Sequence, residues 1–164
     1  MKQPPLGLFE ASGAIASGQL SPKAYMQQCI DLADQLEPAL HAFVARTPTQ
    51  QLLDGVGEGP WAGIPVGVKD LIATRELGTT YGSAIYTDQV LDYDAAVVGR
   101  VRQLGGAVFG KTVSTEFAWR HPGPTVNPVN PGHTPGGSSS GSAAAVAAGI
   151  LPCLLYTSPS PRDS

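Results

Sequence analysis

Thr134-Pro-Gly-Gly-Ser-Ser-Ser-Gly-Ser-Ala-Ala-Ala-Val-Ala-Ala-Gly149 is a glycine–serine loop that runs straight into an alanine-rich helix. Gly136 and Gly137 admit backbone conformations closed to other residues. Ser138 and Ser139 bring hydroxyls and unpaired backbone N–H groups to the mouth of that helix, where its dipole is positive. Such a loop suits a site that holds an oxyanion beside a hydroxyl. Gly/Ser runs are commonly flexible linkers, but a linker leads into polar chain. This run leads into Ala143-Ala-Ala-Val-Ala-Ala, small apolar residues fit for close packing. A phosphate-cradling loop is the other rival, and no lysine follows the glycines as GxxxxGK[ST] requires.

Upstream, Ile64-Pro-Val-Gly-Val-Lys-Asp alternates as a strand does, with Ile64, Val66 and Val68 on one face and Pro65, Gly67 and Lys69 on the other. The small neighbours of Lys69 predict room beside its stem. A lysine ending an apolar strand usually snorkels to water, and Lys111 in Ala-Val-Phe-Gly-Lys-Thr is an equal rival on periodicity. Burial would make either one a base, because desolvation disfavours the ammonium. A neutral lysine can accept a proton from a serine hydroxyl near pH 7.

Residues 6–44 read as a helical hairpin. Ser21-Pro22 starts its second helix and Pro38 ends it. Residues 50–60 read as a Gly-rich acidic loop. Asp94 is the expected cap of a helix over Ala95–Leu104, with Val97, Val98, Val101 and Leu104 inward and Gly105 as its stop. Ala107–Phe109 reads as a buried strand, Glu116–Trp119 as a helical turn, and His121–Pro135 as a Pro/Asn-rich loop. Strands alternating with helices predict an α/β body. Trp61 and Trp119 are expected in the core.

The composition narrows the function. The 164 residues are 42% hydrophobic and 14% charged, with a net charge of −3, which speaks against nucleic acid or an anionic membrane as partner. Cys29 and Cys153 lie far apart and His41, His121 and His133 are scattered, so no metal site is expected. Met1-Lys-Gln-Pro-Pro lacks the apolar run of a signal peptide. The longest stretch free of charged and strongly polar residues, Ala143–Tyr156, falls short of the roughly 20 residues of a membrane span. The expected location is cytoplasmic. No GxSxG elbow supports a Ser-His-Asp site.

Taken in order, Gly63–Asp70, Gly110-Lys111-Thr112, the Asn127-Pro128 turn and the Pro135–Ser142 loop with its alanines resemble the amidase signature family. The resemblance covers roughly residues 6 to 152 and implies the N-terminal part of that family's α/β fold, a mixed β-sheet flanked by helices. It implies hydrolysis of a carboxamide of a small molecule by a Ser–Ser–Lys triad. Lys69 matches the general base, which leaves Lys111 a structural role. Ser138 matches the bridging serine, with Gly137–Ser138 the candidate cis peptide. Gly136, Gly137 and Ser139 would form the loop around the oxyanion. No cofactor is implied. The Asn-Pro-x-Asn-Pro approach resembles free-standing amidases more than the amidase component of a tRNA-dependent amidotransferase, which stays as an alternative.

The family pattern stops near Pro152. There a Gly-Thr-Asp/Gln-Thr-Gly-Gly-Ser run should carry the nucleophilic serine, and Arg162 stands in its place. Ser158 and Ser160 lie beside prolines, with no glycines around them to shape an oxyanion hole. Residues 1–152 are therefore expected to be a partial amidase domain: the helical hairpin at about 6–44, then an α/β part over about 61–152. Residues 153–164 are expected to be a foreign or disordered ending, and the chain as it stands to be inactive. The rival from another class is a non-enzymatic domain that binds a small anion at the Gly-Ser loop. A buried Lys69 within reach of Ser138 separates the two.

Overall fold

The computed structural model describes residues 4–87 and 89–156. Two helices open the chain, α1 (Leu8–Ala16) and α2 (Pro22–Leu40), followed by β1 (Phe43–Arg46) and α3 (Thr49–Asp54). Then come β2 (Pro65–Lys69), α4 (Ala96–Gln103), β3 (Ala107–Thr112), α5 (Ser140–Ala147) and β4 (Cys153–Leu155), with single 3₁₀ turns at Ala84–Tyr86 and Glu116–Ala118. The sheet order is β1-β3-β2-β4. β1 runs antiparallel to β3, whereas β3 and β4 both run parallel to β2. This is the expected mixed sheet with flanking helices.

Every residue of β2 is buried, as befits a strand covered on both faces. Tyr25, Met26, Cys29 and Ile30 of α2 pack with Val66, Phe109, Ala144 and Ala145 in the main core. Val68, Ile72, Val98 and Val108 form a smaller cluster that takes in α4. The room predicted beside Lys69 is filled: a side chain at Gly67 would meet Leu151 Cδ1 at 2.7 Å and Thr112 Cγ2 at 3.0 Å.

Several expectations are corrected. Pro38 lies inside α2, which runs on to Leu40 before His41 closes it with φ 51°. The ring removes one amide donor in the last turn, and the Glu37 carboxylate fastens the exit by accepting from the Ala42 and Phe43 N–H groups at 3.0 and 2.8 Å. Val44 is strand, not helix. Within 50–60, α3 forms because Leu52 anchors it in the core. Asp94 does not cap α4, whose N-cap is Ala95; its carboxylate instead accepts from the Arg102 Nε–H and the Arg75 N–H. Val97 is exposed, and so is Trp119, 74% accessible beneath the Arg120 guanidinium. The first three residues after Pro152 are strand β4, paired with β2.

The helix that matters most, α5, is pressed against the sheet. A Cβ at Gly141 would lie 2.1 Å from the Ala42 carbonyl oxygen and 2.4 Å from the Val113 nitrogen, both backbone atoms with nowhere to go. Gly141→Ala is therefore expected to cost about 3 kcal/mol or prevent folding. Gly13→Ala in α1, where a Cβ meets nothing within 4 Å, is expected to add about 0.5–1 kcal/mol of stability. Urea unfolding of the two variants checks the contrast, and equal effects would contradict the close packing of α5.

Candidate active site

The C-terminal end of β2 delivers Lys69 into the fold with no exposure at all. Its register partner across the parallel pairing is Thr112, whose hydroxyl is 2.7 Å from that of Ser142 on α5. Open α/β sheets place sites at the carboxyl ends of their strands, and here the loop before α5 meets that end. The Lys69 Nζ donates to the Ser138 Oγ at 2.6 Å. Burial pushes the Lys69 ammonium below the ordinary lysine range.

The loop's shape explains how a half-buried serine reaches a buried amine. Gly136 holds φ +86°, open to glycine and strained for other residues. Gly137 passes so close to Thr115 that a Cβ there would sit 2.8 Å from its methyl group. The Gly137–Ser138 peptide is cis. The Thr115 N–H donates to the Ser138 carbonyl at 3.0 Å, and the Gly141 N–H donates to the Val113 carbonyl at 3.0 Å. The 113–115 segment therefore clamps the loop on both sides of Ser139, the N-cap residue of α5.

A groove of about 670 Å³ opens beside these groups. Its polar end is made by Ser138, Ser139 and Ser142, and its apolar wall by Val146 and Leu154. That mixture, a few convergent polar groups in an apolar cleft, is what small-molecule sites show. Cys153 also lines it, though burial pushes its thiol up and away from the reactive thiolate. Arg162 lies outside the described residues. Among the described residues, no three His, Cys, Asp or Glu side chains gather as metal ligands would. No helix among them is long and apolar enough to cross a membrane.

The second lysine is just as buried. The Lys111 Nζ donates to the Ile72 carbonyl at 2.5 Å and the Thr79 hydroxyl at 2.7 Å, with an Asp70 carboxylate oxygen 3.7 Å away. Sequence reasoning set Lys111 aside and did not single out Asp70, Thr112 or Ser142. The one available signal was the parallel placing of Lys-Asp and Lys-Thr at two strand ends.

The amidase family profile matches residues 23–155. The chain belongs to the amidase family. Over 165 residues it is 36% identical to a glutamyl-tRNA(Gln) amidotransferase subunit of Chromohalobacter salexigens, covering 92% of this chain and 34% of that protein. The corresponding protein from Thermus thermophilus is 41% identical over 156 residues, covering 89% of this chain and 33% of the relative. Among solved structures, the native peptide amidase of Stenotrophomonas maltophilia superposes with a TM-score of 0.79 at 30% identity, over 88% of this chain and 34% of that one. The chain thus spans about a third of the length of the relatives it matches.

The buried amines give a pH signature. Lys111, lowered by burial to about 8 despite the Asp70 charge, releases its proton in the fold before the unfolded chain does. Lys69 shifts in the same direction. The unfolded state then binds more protons, so stability rises with pH through that window. Cys29, pushed up by burial to about 12, opposes this above about pH 9, as does the raised Tyr25. Urea titrations are expected to show stability rising by about 1 kcal/mol from pH 7 to 9, then levelling and falling. The rise should shrink in Lys111→Met, leaving the part that comes from Lys69. A flat or falling curve below pH 9 would contradict the buried lysines.

Proposed function

We propose that the protein to which this chain belongs hydrolyses a carboxamide, with Lys69 as general base and Ser138 as the bridge that relays the proton. The observation that carries this reading is the 2.6 Å contact between a fully buried amine and the Ser138 hydroxyl. A solvated lysine far from the loop would have favoured the anion-binding rival. In its neutral form Lys69 takes the Ser138 proton, and Ser138 takes one from the attacking serine hydroxyl. That oxygen adds to the carbonyl carbon, the amine leaves with a returned proton, and water repeats the sequence on the ester. Backbone N–H groups at the Gly136–Ser139 loop suit the developing oxyanion.

The attacking serine belongs to the glycine-rich run that residues 153–164 do not reproduce. In this reading the chain alone holds base and bridge and does not turn over. Family resemblance in the loops favoured a free-standing, small-molecule amidase. The 36% and 41% identities favour a second reading, the amidase component of a tRNA-dependent amidotransferase. Both readings share the amide chemistry and differ in partners.

Hydrolysis of glutamine and of simple aryl and alkyl amides separates them, assayed with this chain and with a form continued past Pro152 by a relative's sequence. The chain itself is expected to be silent and the continued form active. Lys69→Ala in the continued form should lower kcat by about 10³-fold. Turnover by the unextended chain would overturn the inactivity, and an active Lys69→Ala form would overturn the assignment of the base.

A further inference from the structure

The two partners of the Lys69–Ser138 contact are referred to the same pair of strands. Lys69 closes β2, and its register partner Thr112 closes β3. Just beyond Thr112 stands Thr115, which is buried and touches the serine loop twice. Its N–H donates to the Ser138 carbonyl at 3.0 Å. A Cβ on Gly137 would lie 2.8 Å from its methyl group, short of the roughly 3.5 Å of ordinary carbon contact. Among the described residues, chain neighbours apart, that methyl carbon is the one atom within 4 Å of the position.

We propose that Thr115 is a positioning residue for Ser138: its N–H holds the carbonyl, its methyl group limits the Gly137 backbone, and together they fix where the hydroxyl meets the Lys69 amine. One hydrogen bond alone leaves a loop free to roll about it. The methyl contact on the preceding residue removes that freedom. Threonine supplies both holds because its branched Cβ is stiff at χ1. One branch carries the methyl group to Gly137, and the other sends its hydroxyl to the Trp119 carbonyl at 2.8 Å.

The turn that follows keeps Thr115 in place. Phe117 and Ala118 hold φ of 47° and 57°, a region that residues with a Cβ rarely adopt. Such turns persist where their surroundings over-determine them, and they gather at functional sites. Here the Ala118 N–H donates to the Thr115 carbonyl at 3.0 Å, and the Phe117 N–H to the Tyr81 carbonyl at 2.8 Å. The turn is therefore closed on Thr115 through both its carbonyl and its hydroxyl. Moving Thr115 away from the serine loop would open it.

The inference rests on the reading of Ser138 as the bridge, and the test separates the two. In the full chain it follows the NOE between the Lys69 Hε and Ser138 Hβ protons, with urea unfolding as the control for stability. The parent is expected to show the NOE. Gly137→Ala, whose new methyl group meets that of Thr115, should weaken it. Gly137→Ala combined with Thr115→Ser, which takes the Thr115 methyl group away, should restore it. In the form continued past Pro152, kcat should fall by about tenfold or more in Gly137→Ala. It should recover in the double variant, the non-additive result expected of two residues in contact.

A merely structural role for Thr115 would change stability and leave the NOE in place. If Gly137→Ala does not fold, recovery of folding in the double variant supports the inference, and a double variant that also fails overturns it. An NOE that persists in Gly137→Ala, or a double variant no better than Gly137→Ala, overturns it too. NOEs that follow the expected pattern, beside a kcat indifferent to Ser138→Ala, keep the positioning role and overturn the bridge.

Discussion

The contact between Lys69 and Ser138 depends on how closely a helix can approach a sheet. Gly141 lets the first turn of α5 lie against the backbone of Ala42 and Val113. That approach brings the loop ahead of the helix over the carboxyl end of β2. With a side chain at 141 the helix would stand off by the width of a methyl group, and a 2.6 Å contact does not survive such a shift. Packing at one glycine therefore sets the distance of a lysine–serine contact three residues earlier.

The same approach has an electrostatic consequence. The amino end of α5 carries partial positive charge on its unpaired N–H groups. Burial pushes Lys69 toward the neutral amine, while the dipole of α5 favours negative charge at the loop.

Much of this was legible in the sequence because it is written in short-range patterns. The alternation from Ile64 to Lys69 marks a strand, and Gly136-Gly137 followed by serines and alanines marks a loop entering a close-packed helix. Lys69 and Ser138 could be paired by resemblance, not by spacing, since 69 residues separate them. What the sequence hid was long-range. Leu52 turned an acidic, glycine-rich stretch into α3 by finding the core. Pro38 sits in the last turn of α2, and the Glu37 carboxylate ties the chain beyond the helix through the Ala42 and Phe43 N–H groups. Asp94 gave up its capping role to two arginines, one of them 19 residues upstream of it in the chain. Trp119, an apparent core residue, stands in water under Arg120.

The two lysines show why strand periodicity could not rank them. Lys69 ends β2 and Lys111 stands one residue before the end of β3, and burial lowers the proton affinity of both. They differ in what lies within reach. Lys111 faces a carboxylate and a carbonyl as well as the Thr79 hydroxyl. Lys69 meets a serine hydroxyl, which can donate to a neutral amine as readily as it accepts from a charged one. A carboxylate and a carbonyl favour a charged amine, whereas a hydroxyl can serve either protonation form. The fold, and not the periodicity of the strands, sets those neighbours.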